Sequence, residues 1–163
     1  MNPYLVGALD WGGYDPLSFL KLTSQTQLVE TLKYGAIIGA AEFIVLGILF
    51  NLILLRHIFG IQAVLSDRTK DIIELVLVGP VREEVVFRFA GISAIYALTG
   101  SLILGVALSS VGFGLAHIYQ GAGAALIHIL GGAILAFAFF TGGLLAAIAA
   151  HATYNLIIVS FSL

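Results

Sequence analysis

No cysteine occurs anywhere in the 163 residues. That excludes disulfides, thiolate metal sites and a cysteine nucleophile. Charge is nearly as scarce. Asp, Glu, Lys and Arg make up 10% of the chain, against about a quarter in a soluble globular domain. Beyond Arg88 none of these four types occurs through Leu163, and the strongly polar ionisable groups left there are His117, His128 and His151. No basic patch points to nucleic acid, and a net charge of −2 selects no partner. The opening "MNPYLVGALDWGGYDP" lacks a basic stretch followed by a long apolar core, so no cleaved signal peptide is expected.

What is present is apolar. Hydrophobic residues make up 60% of the chain and the mean hydropathy is +1.09, the composition of a membrane-embedded protein. Residues 1–33 mix Tyr4, Trp11, Tyr14 and Phe19 with Asp10, Asp15, Lys21 and Glu30, as expected of an N-terminal interfacial segment. Thr23 or Ser24 could cap the helix that follows. About 20 apolar residues cross the hydrocarbon, and residues 34–55 supply the first such run, with Glu42 inside it. A polar connection over 56–70 carries Arg56, Arg68 and Lys70.

Gly79-Pro80 is expected to interrupt the next run. It divides an amphipathic segment, about 71–78, from a second spanning helix, about 80–98. Further spans are expected at about 101–118, 123–140 and 143–161, with "TGG" at 141–143 turning the chain. Gly and Ala in the last three let backbones approach closely. The expected fold is therefore all-α: one polytopic transmembrane bundle of about five spanning helices, with no second domain. Lys and Arg favour the 56–70 loop on the cytoplasmic side. The start of the second helix, the end of the third and the later half of the fifth then share that face.

Three constellations carry chemistry. Glu84 and Arg88 are four apart and can pair on one helix face, while Glu83 points about 100° away. One carboxylate can thus be held structurally while its neighbour acts as a base. Acids in a first helical turn are ordinarily explained by the helix dipole, but ionisable groups within a membrane are functional candidates by default. Phe113 and His117 share a face of the third helix, and His151 and Asn155 share one of the fifth. A lone helical histidine usually packs; three in a charge-free stretch each need a partner where water is absent. Imidazole relays protons and the Asn155 amide can donate to an oxyanion. The set suits hydrolysis of an amide by an activated water.

"EEVVFR", "FGLAH" and "HATYN" match EExxxR, FxxxH and HxxxN in order. The chain thereby resembles the CAAX prenyl protease and bacteriocin-processing (CPBP, Abi) family of intramembrane endopeptidases, over a catalytic core of about 80–156. The resemblance implies Glu83 as catalytic carboxylate with His117 as its partner in activating water. It implies His151 and Asn155 as oxyanion donors, Glu84 and Arg88 as a supporting salt bridge, and Phe113 as a packing residue of the cavity. It implies a membrane-associated peptide substrate, in eukaryotic members a prenylated C-terminal tail; the Lys and Arg of the 56–70 loop are what favour a site facing the cytoplasm.

A water activated by glutamate without a cofactor is the favoured chemistry. Zinc held by Glu83, His117 and His151 is the alternative, although no HExxH occurs. A non-catalytic immunity or scaffold protein of the same fold, and a small proton-coupled transporter, are the competing functions. Glu42 is open between the cleft and a bond to a neighbouring helix. His128 is open between the cavity and packing or a serine contact. Ser109 and Ser110 are expected to bond their own backbone, and Arg82 to reach for the interface.

Overall fold

The computed structural model describes residues 15, 17, 25–48 and 70–160. The interfacial segment up to residue 24, its candidate caps, the end of the first span and nearly all of the 56–70 connection lie outside the described residues. Among the described residues the architecture is all-helical. Helix α1 is Gln25–Glu42, continued by the π-helical Phe43–Ile48. Helix α2 is a succession of Lys70–Ile73, the π-helical Glu74–Val78, Gly79–Glu84, the π-helical Val85–Gly91, and Ile92–Thr99. Helix α3 is Leu102–Ala116, followed by a 3-10 turn Ile118–Gln120; helix α4 is Ala122–Ser160.

Pro80 does not interrupt α2 as the sequence suggested. Val78 (φ −72, ψ −45) and Gly79 (φ −57, ψ −56) keep helical backbone. Proline lacks an N–H and its ring presses on the carbonyl four residues back. The widened coil of Glu74–Val78 absorbs both faults, with the Gly79 N–H bonding five residues back to Glu74 O. The turn from α2 to α3 is short because two residues suit it. Gly100 takes the left-handed conformation (φ 68) and donates to Tyr96 O at 2.7 Å, closing α2. Ser101 caps α3 by accepting from the Leu104 N–H at 3.3 Å.

Helix α4 is two antiparallel arms joined at Gly143, whose φ of 80 and ψ of −177 belong to a region nearly reserved for glycine. A straight helix would set His128 and His151 about 35 Å apart at 1.5 Å per residue. Both rings instead lie within 5.7 Å of the Phe113 ring. The expected fourth and fifth helices are these arms. Of the described helices, α4 is the one long and apolar enough to cross a membrane, and α3 is a shorter apolar helix.

Packing follows the small residues. A Cβ on Gly35 would lie 2.5 Å from Ala146 O and one on Gly39 2.1 Å from Ala150 O, so α1 runs parallel to the second arm in backbone contact. Gly114 gives the first arm similar access at Ile129. Phe113, Leu135 and Phe139 centre the main core cluster. Ile92, Leu102 and Ala136 with Tyr96 and Phe140 fill the end nearest the α2–α3 turn. Ser109 does not bond its own backbone. Its hydroxyl donates to Phe87 O of α2, a carbonyl in the widened stretch that also takes the Ile92 N–H; one oxygen has lone pairs for both.

Candidate active site

Helix α2 separates its two glutamates by environment. Adjacent helical residues point about 100° apart, and here that rotation leaves Glu84 fully buried and the Glu83 side chain 23% exposed. Glu84 Oε2 meets Arg88 Nε at 3.1 Å one turn on. Arg88, also buried, donates from Nη2 to Gly132 O at 3.4 Å and lays its guanidinium 4.2 Å above the Phe113 ring. A buried ion pair needs such extra partners to offset its desolvation, and the carbonyl and the aromatic face provide them.

Helix α3 ends at the site. His117 leaves helical geometry (φ −102, ψ 9), and its Nδ1 lies 2.9 Å from Phe113 O. A carbonyl only accepts, so Nδ1 carries the hydrogen. Nε2 is thereby turned toward Glu83, 3.9 Å from its Oε2. Phe113 is more than packing: its ring touches His117 (4.9 Å), His128 (5.6 Å) and His151 (5.7 Å) on edges and tilts around the one that faces Arg88.

The second arm of α4 brings His151. Its Nδ1 bonds Glu84 Oε1 at 2.8 Å, and its Nε2 lies 3.8 Å from Glu83 Oε2. Glu84 thus holds Arg88 with one oxygen and His151 with the other. Three helices converge on the partly exposed Glu83 carboxylate, and the predicted Glu83, Glu84, Arg88, Phe113, His117 and His151 form a single cluster. Asn155 stands apart. Its amide donates to Leu75 O at 2.7 Å, tying the second arm to the π-helical start of α2, and no hydrogen bond joins it to Glu83, His117 or His151.

His128 enters the cluster by a route the sequence did not indicate. Its Nδ1 donates to Ala124 O at 2.7 Å, and its ring stacks on His117 at 3.9 Å and 8°. The tight turn at Gly121 (φ 108) aligns the two rings across the α3–α4 hairpin. Glu42 is buried against Gly131, whose Cβ would lie 2.7 Å from its Oε1; it faces the first arm, beside the Arg88–Gly132 contact. Arg82 is exposed and pairs with Glu74 at 3.1 Å, a contact worth little in solvent.

The separations of 3.8 and 3.9 Å exceed a direct hydrogen bond and leave the Glu83 oxygen and two imidazole Nε2 edges facing a common space. Such a set can take a proton from a bound water and return it. Zinc would require donors about 2.0–2.2 Å from one point. Among the described residues no three of His, Cys, Asp and Glu are grouped in that way.

Compared with known protein families, residues 66–157, just over half of the chain, match the one described as Type II CAAX prenyl endopeptidase Rce1-like. The match encloses the whole cluster except Glu42. No curated protein and no solved structure matches the chain.

Proposed function

The chain belongs to the Type II CAAX prenyl endopeptidase Rce1-like family, and from that premise we propose that it is an intramembrane endopeptidase cutting a membrane-associated peptide, a prenylated C-terminal tail being the favoured substrate. The observation that carries the reading is the convergence of Glu83, His117 and His151 from three helices, with Glu84 and Arg88 buried behind them.

A polar gap near 3.8 Å suits one bridging water. Glu83 takes a proton from that water as its oxygen attacks the scissile carbonyl. The C–N bond then breaks, and the proton passes to the leaving amine. His117, its Nδ1–H committed to Phe113 O, offers Nε2 to orient the water. Protonated on both nitrogens, His151 donates Nδ1–H to Glu84 and Nε2–H to the developing oxyanion. Asn155 retains a second amide hydrogen after its bond to Leu75 O and is the further donor. The reaction needs no metal in this scheme. The chain crosses the membrane about five times, with the site opening toward the cytoplasm, the side that the Lys and Arg of the 56–70 sequence favour.

The test is cleavage of a quenched fluorescent peptide bearing a prenylated CAAX end by purified protein in detergent, with and without a chelator. Turnover by wild type, its loss in Glu83→Ala and its survival under chelator are expected. Turnover that persists in Glu83→Ala sinks the assignment of the base. Turnover abolished by chelator and restored by zinc sinks the metal-free scheme. A folded wild type inert toward a panel of prenylated peptides overturns the substrate.

A further inference from the structure

Three buried side-chain atoms among the described residues have no hydrogen-bond partner: Glu42 Oε2, Glu84 Oε2 and Arg88 Nη1. Glu84 Oε2 has Arg88 Nε against it at 3.1 Å. The remaining two are an acceptor and a donor on different helices. Glu42, 3% exposed, sends Oε1 over Gly131, 2.7 Å from where a Cβ would stand. Arg88 sends Nη2 to the carbonyl of the next residue, Gly132. Both side chains therefore approach one dipeptide of the first arm, from α1 and from α2. Glu42 lies within electrostatic range of both Arg88 and Glu84, yet no direct ion pair joins it to Arg88. Buried polar atoms are nearly always satisfied, and a roomy polar site supplies the missing partner as a bound water with two to four contacts.

We infer that Glu42, Arg88 and the Gly131–Gly132 backbone form a buried water-binding site, and that Glu42 is a positioning residue acting through it on His151. Arg88 Nη1 donates to the water and the water donates to Glu42 Oε2. This contact fixes the guanidinium from the side opposite Glu84. The chain of support then runs from Arg88 Nε to Glu84 Oε2 at 3.1 Å and from Glu84 Oε1 to His151 Nδ1 at 2.8 Å. A methyl at 131 would meet Glu42 Oε1 at 2.7 Å and displace the carboxyl. Glu42 lies outside the segment matched to the family, so this helix would complete a site whose other members lie within that segment.

The effect on turnover rests on the proposed function; the effect on His151 does not, and the experiment reads both. Full-length protein in detergent is compared as wild type, Glu42→Gln, which keeps polar atoms for the water, and Glu42→Leu, which keeps bulk without them. The readouts are kcat and KM on the prenylated peptide and the titration of the histidine imidazoles by 15N NMR. Glu42→Leu should lower kcat about tenfold or more, as small displacements of catalytic groups do. KM should stay within about twofold, since substrate contacts are untouched. Its His151 titration should shift while that of His117 does not, and Glu42→Gln should restore most of both. Unchanged kcat and unchanged His151 titration in Glu42→Leu would overturn the inference, as would a change in KM alone. If wild type cleaves no prenylated peptide, the substrate assignment fails and the His151 titration alone decides: a shift with Leu reversed by Gln upholds the water site, and no shift removes it. Should Glu42→Leu not fold, Gly131→Ala displaces the carboxyl without deleting it and is read the same way.

Discussion

Glu83 and Glu84 are the same residue type at neighbouring positions, and burial alone assigns them different tasks. Among the described residues the Glu83 carboxylate makes no direct hydrogen bond, so Glu83→Gln should leave the unfolding temperature in detergent unchanged. It should lower kcat about 10²–10⁴-fold, the usual share of a general base. Glu84→Gln should do the reverse in part. It leaves the Arg88 guanidinium buried without its counter-charge, at a cost of about 3–5 kcal/mol, and it loosens His151 as well. Equal thermal stability of the two variants would contradict the division. This much was legible: EExxxR spacing implies the Glu84–Arg88 pair, and the 100° offset frees Glu83. The His128–His117 stack was not, because it depends on how the Gly121 turn registers one helix against the next. Asn155 shows the same limit, since its bond to Leu75 O spans elements that no local spacing relates.

At the scale of elements, glycine decides where helices end and how near they come. Gly143→Ala places a side chain at φ 80, ψ −177, a strain of about 1–3 kcal/mol. Thermal unfolding should show that loss, and a variant as stable as wild type would mean the arms do not turn at this residue. Gly39→Ala would press a methyl to 2.1 Å from Ala150 O. Overpacking of this kind costs about 1–3 kcal/mol, and here it should also lower activity, because α1 is pushed from the arm that carries His151. The "TGG" turn was readable from composition, and the structure narrows it to one residue. The Gly79-Pro80 break was misread for a physical reason. A proline stops a regular α-helix, but the sequence carries no sign that the preceding turn would widen to receive it. Within the same kind of widening over Val85–Gly91, Phe87 O accepts from both the Ile92 N–H and the Ser109 hydroxyl, a contact sequence periodicity could not supply.

For the whole molecule, the turn at Gly100–Ser101 and the one at Gly143 lie at one end, and the 3-10 turn Ile118–Gln120 lies at the other with the site. A natural chain without cysteine makes this testable. Ser101→Cys and Gln120→Cys should be labelled by a membrane-impermeant thiol reagent from opposite sides of sealed vesicles, Gln120→Cys from the cytoplasmic side. Labelling of both from one side would refute the multi-pass arrangement. The helical, membrane-embedded class was plain from hydropathy and missing charge, whereas the pairing of α1 with the second arm was not. It is set by small residues whose partners lie far along the chain, as where the Tyr34 hydroxyl donates to Thr141 Oγ1 at 3.1 Å across 107 residues. That pairing has a cost in time. Ribosomes add about 5–20 residues per second, so roughly 5–20 s pass between the emergence of Tyr34 and that of its partner. For most of that interval Glu42 has already emerged, and the glycine surface that will cover it has not. The first helix must therefore wait, carrying a carboxyl that the unfinished bundle cannot yet cover, until the hairpin of α4 arrives to receive it.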